Sequence, residues 1–453
     1  MKNSMSRRGF LQAAGTAAAL APMMVPMVHA GESNTIKIAW VGCGGRGSGA
    51  VRQALNADKN TKVVAIADAF EDKANHAKEG LIHTHGGQVA QDVKVFGGLD
   101  GYKHAIDCLG DGDVALLTTV STFRALHFDY VVNKKEQINA FCEKPLGVDV
   151  LNLKRFAAAN EKAKKKGIQV GVGLNNRHYF RTAETVKKIQ DGGLGDIVTL
   201  YVYRLQGPHV LSSWDKGNGQ KWSPLQFQIR NHFLFDWTSG GFIIDALIHN
   251  IDICCWSNQD YPVEAFASGG RIAGTDGGFV RKSKDQLIDC GAVEYVFKDG
   301  RKMMLHTRTL PKCWNFFQAN IQGTKGCAQL GEGVGEPGIY SGYDMLTPAR
   351  KVIWIPEAKR NDSYQSEHDC LFKAIRNNEP WNEVQYAIDA TFTALLGRTA
   401  METGQRIKAE DLWKSQKTLV PDIDHLTLDS ESPAMPNKDG YFWLPEPGVT
   451  KMI

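Results

Sequence analysis

Apolar residues in the first part of this chain fall into short, almost unbroken runs. They occupy residues 36–41, 63–67, 114–119, 137–142 and 168–173. Runs of this length, rich in Val, Ile, Leu and Ala, fit strands buried on both faces. Between them, residues 50–55 and 151–166 have helical spacing. Strand and helix signals in alternation predict a parallel, doubly wound sheet.

The pattern changes after residue 173. Residues 197–204, 293–297, 302–308 and 316–322 read as strands, and Asp299-Gly300 sits where a tight hairpin turn is needed. Residues 367–377 and 386–403 read as helices. Beyond Leu412 the chain is polar and Pro-rich, which predicts an extended arm lying on the surface or on a neighbouring subunit. The expected class is α/β. A nucleotide-binding Rossmann domain (31–173) precedes an α+β domain with an open, mostly antiparallel sheet (174–410), followed by the arm (411–453).

The first 30 residues have a different character. Ser6-Arg7-Arg8-Gly9-Phe10-Leu11 opens a moderately apolar stretch interrupted by Pro22 and Pro26, and Val28-His29-Ala30 ends it. This is the layout of a twin-arginine export leader with cleavage after Ala30. It predicts an exported, periplasmic protein that engages the twin-arginine translocation machinery. No Cys stands at the cleavage point and no stretch is apolar enough to persist as a span, so no permanent membrane anchor is expected. The leader carries Lys2, Arg7 and Arg8 and no acid, so a formal charge of +4 falls to about +1 without it. A nearly neutral chain with no concentrated basic run is a poor partner for nucleic acid. Lys162 to Lys166 reads as the solvated end of a helix.

Nine cysteines are scattered along the chain, and a disulfide framework is not expected in one this long. His83-x-His85 lacks a third ligand, and Cys254-Cys255 diverge on a helix, so no metal site is expected.

The strongest local motif is Gly42-x-Gly44-x-x-Gly47, with Gly45 and Arg46 inside it. It follows a strand and opens a helix, the context in which glycines permit a tight turn and close approach of a pyrophosphate. The helix N-terminus then faces the phosphates. Asp68 ends the second strand, 21 residues beyond Gly47. A carboxylate there accepts from a free ribose 2′-hydroxyl and repels a 2′-phosphate, which favours NAD over NADP. Nothing in Ala69-Phe70 offers a base for such a phosphate. Ligands bind at the carboxyl ends of parallel strands. That brings in Thr119 and His127 after the third predicted strand, Glu143-Lys144-Pro145 after the next, and Asn175-Asn176-Arg177-His178-Tyr179 after the last.

Asp245, His249 and Asp252 follow at i, i+4 and i+7, a polar stripe on a helix otherwise covered by Ile244, Leu247, Ile248 and Ile251. On a regular helix they share one face.

The ordered set of glycine motif, ribose Asp, Glu143-Lys144-Pro145 and Asp245-x-x-x-His249 resembles the glucose–fructose oxidoreductase / inositol dehydrogenase (Gfo/Idh/MocA) family. Arg124-x-x-His127, Gly323-Thr324-Lys325-Gly326 and Gly397-Arg398-x-Ala400 extend the resemblance over nearly the whole chain after the leader. It implies that Lys144 points at the reacting hydroxyl beside the nicotinamide. It implies also that Asp245 and His249 meet the substrate. His249, with an ordinary pKa near working pH, is then the expected general base or acid. Glu143 is expected near the nicotinamide or in a structural role. Arg177, His178, Arg230 and His232 are expected to bind a carbohydrate, and Trp214, Trp222, Trp237 or Trp314 to stack on it. The family also implies a homo-oligomer.

Together these features predict an exported oxidoreductase acting on a ring hydroxyl of a sugar or glycoside through a tightly held NAD. A redox-neutral, NAD-dependent glycoside hydrolase is the alternative, and a non-catalytic sugar-binding protein the third reading.

Overall fold

The computed structural model describes residues 34–207, 221–272, 283–331, 335–342 and 350–452. The leader and Trp214 lie outside them. Six strands form the first sheet: β1 (Ile36–Val41), β2 (Thr61–Ala67), β3 (Val89–Phe96), β4 (Val114–Leu117), β5 (Asn139–Cys142) and β6 (Val170–Val172). Their order is β3-β2-β1-β4-β5-β6, with every pair parallel. Alternate side chains go to opposite faces, as the pleat requires. Ile36, Ile38 and Trp40 pack beneath the helix Gly45–Ala57, while Ala39 and Val41 face the helices Arg124–Asn133 and Val150–Lys166. β3 produces no apolar run because it is a partly exposed edge carrying Gln91, Asp92 and Lys94.

The helix Ser363–Asn377 comes late in the chain but belongs spatially to this sheet. Leu371, Phe372 and Ile375 join the cluster that contains Ile38, Trp40 and Phe141. The boundary expected at residue 173 assigns that helix to the second domain, whereas its apolar face completes the first.

The second sheet has nine strands: β7 (Ile197–Gln206), β8 (Glu264–Gly270), β9 (Cys290–Val296), β10 (Lys302–Thr309), β11 (Phe316–Gly323), β12 (Gly326–Leu330), β13 (Gly338–Tyr340), β14 (Val352–Trp354) and β15 (Ile407–Lys408). They run β14-β13-β12-β11-β7-β10-β9-β8-β15, antiparallel except for β7 beside β10. Asp299-Gly300 turns the β9–β10 hairpin, with Gly300 at φ 90°. β13, β14 and β15 have only two or three residues each, too few to leave a periodic signal. The helices Ile248–Asn258 and Val384–Thr403 pack against this sheet.

The C-terminal arm lies on the surface of its own chain. It folds back on its own chain, with Val420, Leu419, Ile423, Leu426 and Phe442 entering an apolar cluster beside Phe70 and Phe123. The polar composition of the arm conceals this, because single apolar residues at irregular spacing do the packing. All nine cysteines are free. His83 and His85 end the helix Glu71–His85 rather than lying on a strand or loop. Among the described residues no three metal-ligating side chains gather, and no helix is long and apolar enough to cross a membrane.

Candidate active site

A cavity of about 320 Å³ opens at the carboxyl ends of β1, β2, β4 and β5. Gly42 and Gly47 build its floor. Gly42 has φ 98°, and a Cβ there would stand 2.6 Å from the Thr118 carbonyl carbon. A Cβ on Gly47 would lie 2.0 Å from the Gly42 oxygen. The start of the helix is thus locked onto the β1 turn. Gly44 and Gly45 differ, since a Cβ on either meets nothing within 4 Å and both line the cavity. The space before them is open to a pyrophosphate, and the residues fit a dinucleotide.

Asp68 borders the same cavity. Its Oδ2 accepts the Cys43 N–H at 2.7 Å and its Oδ1 the Phe70 N–H at 3.0 Å, which fix the carboxylate in orientation. Burial raises its pKa, opposed by these two N–H groups and by the charges of Lys73 and Arg230.

Arg124 organises the other side. Its guanidinium donates to the Thr119 carbonyl at 2.6 Å, the Pro145 carbonyl at 2.5 Å and Ser121 Oγ at 3.1 Å. It thereby ties the loop after β4 to the Glu143-Lys144-Pro145 loop after β5. Thr119 Oγ1 pairs with His127 Nδ1 at 3.1 Å, and the His127 ring stacks on Tyr102 at 4.0 Å. Burial and the Arg124 charge push His127 down to about 3, so it stays neutral.

Lys144 reaches across to the second domain. Its Nζ donates to the Asp245 carbonyl at 2.5 Å and lies 3.7 Å from Asp245 Oδ1. Asp245 sits in a π turn, Ile243–Leu247, that precedes the helix Ile248–Asn258. A π turn adds one residue and disturbs the i to i+4 pairing of its carbonyls. Lys144 takes the Asp245 carbonyl, and Arg204 Nη1 takes the Ala246 carbonyl at 2.9 Å.

The π turn also breaks up the expected polar stripe. Asp245 faces the cavity with Lys144. Asp252 is instead wholly buried and receives Arg177 Nε and Nη2, both at 2.8 Å. His249 does not line the cavity, and its buried Nδ1 has no hydrogen-bond partner among the described residues. Burial, reinforced by the charges of Lys144, Arg204 and Arg46, drives its pKa well below the usual value. His249 is thus a neutral ring, a hydrogen-bonding group before it is a proton store.

Arg46 borders the cavity, but its guanidinium turns to Glu143 and Gln53, with Glu367 at 3.5 Å and the Tyr364 ring at 4.7 Å. It joins the glycine loop to Glu143 and to the helix Ser363–Asn377. Glu143 lines the cavity as its partner.

Residues 36–174 match the family described as "Oxidoreductase family, NAD-binding Rossmann fold" (GFO_IDH_MocA). The match spans the nucleotide domain, and the cofactor is NAD. The chain is similar to a myo-inositol 2-dehydrogenase of Thermotoga maritima, at 22% identity over 352 residues, 77% of this chain and 91% of that one. Among solved structures it is similar to myo-inositol 2-dehydrogenase from Lactobacillus plantarum, with TM-score 0.60 and 19% identity over 83% of this chain and 99% of that one. Scyllo-inositol dehydrogenase from Lactobacillus casei, solved with bound NAD(H) and scyllo-inositol, gives TM-score 0.60 at 18% identity, again over 83% and 99%. At such identities the structural likeness shows the fold.

Of the four residues expected at the carbohydrate, Arg177, His178 and Arg230 lie outside the cavity lining, and His232 lines it. Arg177 is enclosed by Asp252 and the Tyr386 and Trp256 rings, at 3.8 and 4.8 Å. His178 bonds Glu383 Oε1 at 2.9 Å, away from the cavity. Burial alone would lower its pKa, but bonds to Cys370 and Glu383 and the Glu383 charge lift it to about 10. Both residues cement the two sheets' elements together. Arg230 lies over Phe70 at 3.8 Å and Trp222 at 4.5 Å and pairs with Asp72 at 2.8 Å, close to Asp68. His232 lines the cavity within reach of the Asp245 and Lys144 charges, pushed down to about 4 by burial. The segment that carries them folds onto Phe70 and Phe123. Trp237 is core, and Trp314 is exposed and stacked on Phe316.

No motif in the sequence marks Arg204 or Tyr364. Arg204 lies in β7 between Phe317, at 4.4 Å, and the π turn, and its charge acts on Asp245 and His249 by way of burial-weakened screening. An Arg in a strand-forming run carries no motif. Only the β7 position beside the π turn marks it.

Proposed function

We propose that this protein is an exported oxidoreductase that removes hydride from a ring hydroxyl carbon of a sugar, glycoside or cyclic polyol and delivers it to a tightly held NAD. The observation that carries this reading is the Lys144–Asp245 contact at the mouth of the glycine-lined cavity. It puts an ammonium and a carboxylate at the edge where both domains meet.

Bound NAD would accept the hydride. Gly44 and Gly45 would hold its pyrophosphate and Asp68 its adenosine ribose, while Thr119, His127 and Glu143 border the rest of the cavity. An alcohol carbon gives up hydride only as its O–H loses a proton. Lys144 Nζ orients that oxygen and stabilises the developing alkoxide. Asp245 Oδ1, 3.7 Å from Nζ, takes part in moving the proton. Neutral His249 stands near this pair but outside the cavity lining, and is not the proton acceptor. Arg124 keeps the two loops in register so that these groups converge.

The export reading rests on Arg7-Arg8 and the leader that follows. Twin-arginine export carries folded proteins, so an enzyme that leaves the cytoplasm with NAD inside must restore it in place. The expected cycle therefore ends with a second carbonyl substrate or another acceptor taking the hydride.

The test is to purify the exported form, denature it and identify any released nucleotide. Intact protein is then incubated with a panel of sugars, glycosides and inositols without added cofactor. A keto product that accumulates only when an acceptor is present supports the proposal. Cleavage of a glycosidic bond with deuterium uptake at C2 in D2O overturns it.

A further inference from the structure

Beyond the glycine loop, the cavity has a second wall that no nucleotide-binding motif supplies. Ile229, His232 and Phe233 line it, and all three come from the second domain. They belong to the helix Pro224–Arg230 and the turn His232–Leu234. This short segment packs on Phe70 and Phe123, two nucleotide-domain residues that also line the cavity. Arg230 closes the outer edge by stacking on Phe70 and pairing with Asp72.

What keeps the segment there is the C-terminal arm. Gln228 is fully buried, and its amide is shared among three groups. Its Nε2 donates to the Ala434 carbonyl at 2.6 Å, and its Oε1 accepts Ser432 Oγ at 2.7 Å and Trp237 Nε1 at 2.5 Å. Phe442 packs its ring on Phe235 at 5.0 Å, and its N–H donates to the Ser283 carbonyl at 2.8 Å. The arm's near end is anchored to the nucleotide domain. Buried Asp149 accepts Thr418 Oγ1 at 3.0 Å and the Leu419 N–H at 2.9 Å. Arg155 holds Asp424 through two bonds of 2.9 and 2.8 Å. The arm thus starts on one domain, crosses the segment that walls the cavity, and ends beyond it.

We propose that the arm is an intramolecular strap that retains NAD, with Gln228, Ser432 and Phe442 as positioning residues. Residues 418–442 clamp the 224–237 segment over the adenosine half of the nucleotide, next to Asp68. NAD then leaves only when the strap lifts, so its release rate follows the arm's contacts rather than those of the glycine loop. A short helix exposed on one side has little stability of its own, so the arm's bonds decide how often it opens. The inference rests on the NAD reading of the site.

The experiment loads the full chain with NAD and follows its release into a large excess of an NAD-consuming scavenger enzyme. Two variants are compared with the full chain: a truncation ending at Gln416, and full-length protein with Ser432→Ala and Phe442→Ala together. The melting temperature of each nucleotide-free protein is measured alongside. If the truncated chain does not fold, the double variant decides. Release at least tenfold faster in a variant whose nucleotide-free melting temperature is unchanged supports the strap. Release within twofold of the full chain in a folded variant overturns it. A full chain that takes up no NAD at all refutes the reading of the site instead.

Discussion

Lys144 and Asp245 are 101 positions apart in sequence, yet the Lys144 ammonium touches Asp245 at both its carbonyl, 2.5 Å, and its carboxylate, 3.7 Å. The pair joins the loop after β5 to the π turn of the second domain. Its geometry depends on both domains being docked.

Lys144→Ala removes the cation proposed to hold the reacting oxygen. We expect kcat to fall by about 10²- to 10⁴-fold, the usual weight of a positioned proton-transfer group. NAD content should stay near that of the parent protein, because the pyrophosphate cradle is untouched. Single-turnover hydride transfer, read as NADH absorbance, checks this, and a rate within threefold of the parent refutes the assignment.

His249 is held neutral by burial and by the charges of Lys144, Arg204 and Arg46. Its folded pKa lies below its unfolded value, so charging it costs stability as pH falls and it does not titrate near neutrality. His249→Gln should lower kcat while leaving the limbs of the pH–rate profile in place. A limb near pH 6.5 that vanishes in the variant would show that the ring does titrate there.

Asp68→Ser should shift cofactor preference. The carboxylate repels a 2′-phosphate, and Lys73 and Arg230 supply positive charge around it. The ratio of NADP to NAD affinity is expected to rise about tenfold, equal to one hydrogen bond to a charged group. Titrating both nucleotides into one preparation measures the ratio and cancels any general loosening of the loop. An unchanged ratio counts against the ribose role.

His178 is raised to about 10 beside Cys370 and Glu383. A His raised above its unfolded pKa adds stability that is complete below about 6.5 and disappears as pH climbs through 10. The effect is of order a few kcal/mol for a group this buried. The melting temperature of the parent should therefore drop between pH 7 and 10, and His178→Gln should be lower at pH 6 with a flatter profile. Parallel profiles would mean that the pair contributes nothing.

Gly47→Ala brings a Cβ to within 2.0 Å of the Gly42 oxygen. Backbone cannot yield that distance cheaply, and overpacking of this kind costs roughly 1–3 kcal/mol or more. Loss of NAD binding together with a lower melting temperature is expected. Gly44→Ala, whose Cβ meets no protein atom, should weaken NAD but leave the melting temperature of the nucleotide-free protein alone.

Local information determined much of this protein. The apolar runs at β1, β2, β4, β5 and β6 are buried on both faces, so they stand out without any knowledge of partners. The glycine motif and Asp68 are likewise read from one βαβ unit, because a phosphate cradle is built from contiguous backbone. Lys144, Asp245 and His249 were legible as candidates by their resemblance to a family. Tertiary structure decided how they are used. The π turn separates Asp245 from Asp252, and an inserted residue leaves no mark in a spacing that also suits a regular helix. Arg177 and His178 were consumed by Asp252 and Glu383, partners 75 and 205 positions away. Arg230 is stacked on Phe70 and Trp222 and paired with Asp72, none of them marked by its spacing in sequence. The arm reads as an extended surface segment because it is polar on average, and only the packed structure shows the scattered apolar residues and the Gln228 amide that hold it. Spacing along a chain reports the periodicity of one element, and the side that element presents to another is set only when the two are packed together.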